Sequence, residues 1–519
     1  MRKLALLLII IVSLEVFAQS SGVQKSAALG IDQPNLVVVI VVDQFRYDYL
    51  LRFGSDYKEG LSQLLTRGAV FANANYEHFP TYTSVGHAGL LTGAYPSVHG
   101  IIGNTWYDRE TAKAIPSAFD NSVQQVGGNG GQSASPRNLL VSTLGDELKI
   151  SGQGRNRVIG ISLKDYSVIL ATGRMANAVY WFDANTGVFV SSSYYMPDLP
   201  DWVKQFNAKK PADRYKGMEW EGTRLPAEAD PKLYGMLEFT PYGNELVEAM
   251  AEAAIQAEQL GRDPETDLLM LSFSSNDYVG HTYGPDSKQV RDISLDTDRL
   301  LGKLFRYIDA QVGLTNAMVV FTADHGVAPL PEINAERKLP GGRIRFDLVL
   351  NAVQKSLQEK YGEGNWISGA PEESIYLNWE LIKSKKLALE EVTATAAQAA
   401  ETVPHVFRVY TRPQLMSGGA MTDSAGRRLM HSFSARRGPD LSVLLEPYFF
   451  FGSGRTTHGS VWDYDTHVPL IFMGAGIKAG HYYGTVAIND VAPTLSALLG
   501  IATPSGSAGR ILKEMFVTK

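Results

Sequence analysis

Three short clusters in this 519-residue chain set carboxylates and imidazoles close together. Asp277 and His281 stand four apart in Asp-Tyr-Val-Gly-His, Asp324 and His325 are adjacent in Thr-Ala-Asp-His-Gly, and His458 lies in Thr-Thr-His-Gly. Asp43 adds a carboxylate directly after an apolar run. The chain has no cysteine, and without thiolates zinc takes His nitrogen and carboxylate oxygen. Two adjacent zinc ions that each keep a position for substrate or water need about seven such donors. Asp43, Asp277, His281, Asp324, His325 and His458 supply six of them, with His467 competing with His458 for the last imidazole. The seventh would be a hydroxyl nucleophile.

The candidate hydroxyls are Thr81, Thr83 and Ser84 in Pro-Thr-Tyr-Thr-Ser-Val-Gly-His, residues 80–87. Metal coordination lowers the pKa of such a hydroxyl and presents an alkoxide. Residues Gly86–Thr92 read as helix, and the N–H groups at a helix start favour an anion. Residue type alone does not choose among the three, because hydroxyls before a helix also serve as caps. His87 reads as a packed helix residue.

These groups need a frame that gathers them. Asn35–Val42 (NLVVVIVV) is a continuous β-branched run, and Val158–Leu163, Leu268–Phe273, Met318–Thr322 and Val468–Met473 repeat the signature. Such runs are strands buried on both faces. Helical patterns lie between them at Tyr242–Leu260 and Ser287–Val312. The alternation predicts an α/β fold with a mostly parallel central sheet flanked by helices. Ligands in such sheets bind at the carboxyl ends of the strands. Asp43, Lys164, Asn276 with Asp277, and Asp324 with His325 follow four of the runs, which points to one rim loaded with chemistry. Residues of about 170–240 and 340–440 are richer in aromatics, Gly and Pro and read as cap insertions; Gly127–Ser135 reads as a mobile loop.

In order, Asp43, PTYTSVGHAGLLTG, YPSVHG, NDYVGH, TADHG, and THG followed by YDTHVPL resemble the nucleotide pyrophosphatase/phosphodiesterase branch of the alkaline phosphatase superfamily. They are most similar to its bacterial, phosphate-irrepressible, threonine-using alkaline phosphatases. The likeness spans about residues 35–500. It implies an alkaline-phosphatase-like catalytic domain over 35–519 and two Zn2+ per chain. It makes Thr83 the nucleophile and favours His458 over His467. One zinc would be held by Asp43, Thr83, Asp324 and His325, the other by Asp277, His281 and His458. Asn104 and Lys164 match the family's phosphate-binding Asn and Lys, but Tyr166 stands where the monoesterases carry Arg. Arg offers a bidentate, permanently charged fork and Tyr a single neutral hydroxyl. Arg174 is near enough in sequence to be considered as its substitute.

The resemblance implies a phosphomonoesterase acting on small phosphate esters through a phosphothreonine, with an alkaline rate optimum. A phosphodiesterase or nucleotide pyrophosphatase on the same metals is the alternative: Asn104 and Lys164 favour the monoesterase, and Tyr166 in place of Arg keeps the alternative open. A sulfatase would need Cys or Ser followed by x-Pro-x-Arg, which Thr83-Ser-Val-Gly-His is not. A non-catalytic binding protein would need a broken ligand set, and none of the set is missing.

Arg2 and Lys3, an apolar stretch from Leu4 to Phe17, and Ala18 read as a signal peptide of residues 1–18 cut after Ala18, with 19–34 a flexible lead-in. That predicts a periplasmic or secreted protein without a stable membrane anchor. The net charge of −6 argues against a nucleic-acid-binding surface, which would be basic. Monomer and homodimer are equally open.

Overall fold

A computed structural model describes residues 33–131 and 133–517. The predicted signal peptide and residues 19–32 of the lead-in lie outside the described residues.

Strand β1 (Leu36–Val42) has every side chain buried, as its unbroken aliphatic run requires. It is followed by β2 (Ala69–Asn75), helix α1 (Thr83–Thr92), β3 (Val158–Ser162), α2 (Asp165–Thr172) and β4 (Ala178–Asp183). Then come α3 (Pro241–Ala257), β5 (Asp267–Phe273), α4 (Ser275–Tyr283), α5 (Lys288–Gln311), β6 (Ala317–Thr322) and β7 (His467–Gly474). An eleven-stranded sheet runs through these strands in the order β2-β7-β6-β1-β5-β3-β4, with short strands at both edges. The interior pairs β6-β1, β1-β5, β5-β3 and β3-β4 are parallel, while β7 runs antiparallel between β2 and β6. The fold is thus α/β with a large, mostly parallel sheet, as the alternation of runs predicts.

Register decides where the chemistry lands. Val42 pairs with Phe273, Val41 with Thr322, and Ser272 with Ser162. Asp43, Asp277, Asp324 and Lys164 follow those residues by one to four positions, so parallel pairing delivers them to one rim. The Asp43 N–H donates to the Phe273 carbonyl at 3.0 Å and continues the ladder past the last strand residue. Helix α1 is buried along its whole length. It crosses the end of β6 at Gly86, where a Cβ would lie 2.3 Å from the Asp324 carbonyl oxygen. No side chain fits at that crossing.

The segment expected as a cap at about 170–240 begins differently. Strand β4 and the strand Val188–Ser192 extend the central sheet. The β4 sequence AVYWFD buries all six residues, but aromatic rings do the filling where the sequence reading looked for β-branched aliphatics. Farther on, Ser374–Leu377, Val406–Thr411 and Leu441–Leu445 belong to a separate four-stranded sheet. Helices Phe346–Tyr361 and Leu389–Glu401 cover it, around a core of its own that includes Val353, Trp366, Ile375 and Val392.

Candidate metal and nucleophile site

Three imidazoles are aimed by the main chain. His281 Nδ1 lies 3.0 Å from the Thr456 carbonyl oxygen, His325 Nδ1 2.9 Å from that of Gly326, and His458 Nδ1 2.8 Å from that of Thr81. A carbonyl oxygen only accepts, so each Nδ1 carries its proton. Each ring then turns Nε2 toward carboxylates: His281 to Asp277 Oδ1 at 3.1 Å, His325 to Asp43 Oδ1 and Asp324 Oδ2 at 3.4 Å each, and His458 to Asp277 Oδ1 at 3.9 Å. The His325 and His458 rings stack at 3.5 Å. His467 is elsewhere, its Nε2 donating to the Ala72 carbonyl and its ring stacked on Tyr47.

The carboxylates are as buried as the rings. Burial pushes the Asp43 carboxyl well above its ordinary range, and the like charges of Asp277 and Asp324 add to this. For Asp277, burial is outweighed by Lys164 and His281, which hold it well below that range. Asp324 is held down against its burial by His325 and His87. Burial lowers His325 and His458. The Lys164 ammonium bridges Asp43 Oδ2 and Asp277 Oδ2 at 2.7 Å each, and these carboxylates keep it charged despite burial.

Thr83 begins α1, buried, with Oγ1 3.2 Å from His325 Nε2. Its rivals are engaged away from these rings: Thr81 Oγ1 donates to the Ser460 carbonyl, and Ser84 Oγ pairs with Ser117 Oγ. The Ser84 N–H donates to Asn104 Oδ1 at 2.8 Å, which brings Asn104 to the start of the same helix. Tyr166, in the first turn of α2, packs against an apolar cluster that includes Ala88, Ile101, Trp106 and Leu170, and burial raises its phenol. Arg174 does not stand in for an arginine there, because its guanidinium donates to the carbonyls of Val141 and Leu139.

Two supporting residues escape a reading of the sequence. Gln44 donates its side-chain amide to Asp277 Oδ1 and its backbone N–H to Asp324 Oδ1. His87, taken as packing, sits buried with Nδ1 2.9 Å from the Thr83 carbonyl oxygen and 3.2 Å from Asp324 Oδ2. A glutamine after an aspartate carries no signal of this kind, whereas a histidine four residues into an otherwise small, apolar helix is a weak one.

The residues fit divalent cations. Asp277, His281 and His458 form one group with ligand atoms within 4.8 Å of one another, and Asp43, Asp277 and His325 form a second. Among the described residues, Asp43 Oδ1 and Asp324 Oδ2 are buried without a hydrogen-bond partner. Three buried carboxylates meet three Nε2 atoms, and among the described residues the Lys164 ammonium is the one cationic side chain paired with them. Such crowding is costly unless positive charge is supplied. Histidines that spend the second nitrogen on a carbonyl are the usual metal-binding arrangement.

The chain resembles known proteins along most of its length. The family model described as Type I phosphodiesterase / nucleotide pyrophosphatase matches residues 37–468. The chain is 35% identical to the alkaline phosphatase PafA of Elizabethkingia meningoseptica, over 95% of this chain and 96% of that one. It is 35% identical to a Myroides odoratus protein named a calcium-transporting ATPase, over 93% and 95%. The crystal structure of wild-type PafA superposes with a TM-score of 0.87 at 34% identity, covering 93% of this chain and 99% of that one. So does a PafA variant altered at a threonine, an asparagine, a lysine and an arginine, at 33% identity. The chain belongs to the type I phosphodiesterase / nucleotide pyrophosphatase family.

Proposed function

We propose that this protein is an exported alkaline phosphatase that hydrolyses small phosphate monoesters through a phosphothreonine at Thr83, with two zinc ions per chain. One observation carries the reading: three imidazoles with Nδ1 spent on carbonyls converge their Nε2 atoms with three buried carboxylates around one threonine hydroxyl. In this reading Asp43, Thr83, Asp324 and His325 hold one ion and Asp277, His281 and His458 the other. When bound, the ions supply Lewis-acid chemistry, lowering the hydroxyl pKa and neutralising charge on the phosphoryl and leaving oxygens.

The chain's own residues do the rest. Thr83 Oγ1 forms a bond to phosphorus as the bond to the ester oxygen breaks, and the alcohol departs. Water then attacks the phosphothreonine, which releases phosphate and restores the hydroxyl. Asn104 keeps Oδ1 on the Ser84 N–H, so its amide hydrogens are held for a phosphoryl oxygen. Lys164 brings the positive charge that a dianion needs. The PafA variant supports this assignment: its altered threonine and asparagine are spaced as Thr83 and Asn104 are here, and its lysine and arginine as Lys164 and Tyr166.

Metal analysis and a Thr83→Ala enzyme test the reading. Two zinc ions per chain are expected in the wild type, and turnover of nitrophenyl phosphate should fall by roughly a thousandfold or more in the variant. A chelator should remove activity and added zinc restore it. Wild-type turnover by Thr83→Ala would eliminate the nucleophile. The position of Tyr166 favours a second reading, a phosphodiesterase on the same site, which the ratio of kcat/KM on matched mono- and diesters decides.

A further inference from the structure

A cavity of about 460 Å³ opens beside the candidate site, lined by His281 and His458 on one side and Asn104 on another. The proposed chemistry does not use its outer walls. Phe79, Tyr82, Phe433, Phe449 and Phe451 line it, each only partly buried. Two carboxyl side chains, Glu372 and Glu373, line the same space. Glu372 Oε2 accepts the Asn104 N–H at 2.9 Å, and Glu373 Oε2 accepts the Tyr82 hydroxyl at 3.1 Å.

No cation answers these acids. Among the described residues neither Glu372 nor Glu373 has a Lys, Arg or His at ion-pair distance, and burial raises the pKa of both. The arginines stacked on nearby rings are committed: Arg109 to Asp440, and Arg437 to the carbonyls of Gly100 and Asn138. Both glutamates also hold left-handed backbone, with φ of 48° and 57°. Two consecutive non-glycine residues in that region are costly and persist where surrounding structure imposes them. An aromatic wall with two carboxyl groups beside it is complementary to an ammonium group, which the ring faces attract and whose charge in turn favours the ionised form of the carboxyls. The cavity reaches His281 and His458, two of the proposed metal ligands.

We propose that this cavity receives the alcohol part of the substrate and selects phosphate esters of alcohols that carry an ammonium group; the proposal rests on the phosphatase reading. Phosphocholine and its uncharged carbon isostere, 3,3-dimethylbutyl phosphate, differ in that charge alone. Wild-type kcat/KM should favour phosphocholine by roughly tenfold or more. The Glu372→Gln/Glu373→Gln double variant should reduce the ratio to the roughly two- to fivefold that the rings alone supply, with Glu373→Gln alone intermediate if the double variant does not fold. The ratio is the readout, because damage to catalysis lowers both rates together. Equal rates in the wild type overturn the proposal, as does a preference that the glutamine variants keep undiminished. Turnover of nitrophenyl phosphate but of neither ester overturns the proposal; if the wild type turns over none of the three, the phosphatase reading fails, and calorimetric titration with choline decides the cavity by itself. Binding that weakens in the glutamine variants then upholds the assignment, and absence of binding to the wild type overturns it.

Discussion

The side-chain amide of Gln44 donates to Asp277 Oδ1 across 2.5 Å. Gln44 itself sits at φ 64°, where residues other than glycine are uncommon, and its N–H donates to Asp324 Oδ1 at 3.1 Å. One residue thus steadies a carboxylate from each proposed ion site. The contact also explains Gly280 in the Asp-Tyr-Val-Gly-His run, since a Cβ there would lie 1.8 Å from Gln44 Oε1. Removing the amide with Gln44→Leu should cost roughly 10–100-fold in metal affinity or activity, read by chelator competition and kcat/KM. Gln44→Gly loses the same amide but relieves the backbone, so it should bind metal weakly while folding at least as stably as Gln44→Leu. Wild-type metal affinity in Gln44→Leu would remove the side chain from this role.

Tyr166 packs at the start of α2, two residues from Lys164. A guanidinium at this position would add a bidentate, charged contact suited to a dianion and less useful to a monoanionic diester. Tyr166→Arg should therefore raise the monoester-to-diester ratio of kcat/KM by roughly tenfold to a hundredfold. A ratio that stays put would separate this position from substrate choice.

Gly86 allows α1 to touch the Asp324 backbone. Gly86→Ala must push the helix that starts at Thr83 away from the strand end that carries Asp324 and His325. The cost to stability should be about 1–3 kcal/mol, as for other overpacked sites, seen as a lower Tm. The displacement should also lower kcat through the position of Thr83. Full activity at unchanged Tm would contradict this crossing.

Burial lifts the Glu372 carboxyl to about 8, against roughly 4.3 in an unfolded chain. Between those values the folded protein holds a proton that the unfolded chain has released. Stability contributed by this group is therefore full below about pH 4 and declines as pH rises toward 8, where the loss levels off. Glu372→Gln keeps an oxygen to accept the Asn104 N–H and never ionises. Its Tm should exceed that of the wild type at pH 9 by more than at pH 5. Parallel Tm profiles across that range would refute the assignment.

Much of the frame is legible in the residues. Strands such as β1 declare themselves because burial on both faces demands unbroken β-branched runs, and parallel pairing then sends the residues after them to one rim. Asp277 with His281 and Asp324 with His325 are visible for the same reason: polar groups that end a buried strand need an occupation. β4 was less legible, since AVYWFD fills its two faces with rings. Gln44 was invisible, because a left-handed glutamine leaves no mark in a sequence. Glu372 and Glu373 lie some 290 positions from Thr83, and only the folding of the second sheet against the first brings them near Asn104.

Substitution cannot delete a carbonyl oxygen. His281, His325 and His458 take their aim from the oxygens of Thr456, Gly326 and Thr81, atoms that every residue type provides. A mutational scan of positions 81 and 456 would report on their hydroxyls and stay blind to this duty. The orientation of the rings is inherited through the path of the chain, so sequences can drift widely at these points while the rings keep their direction.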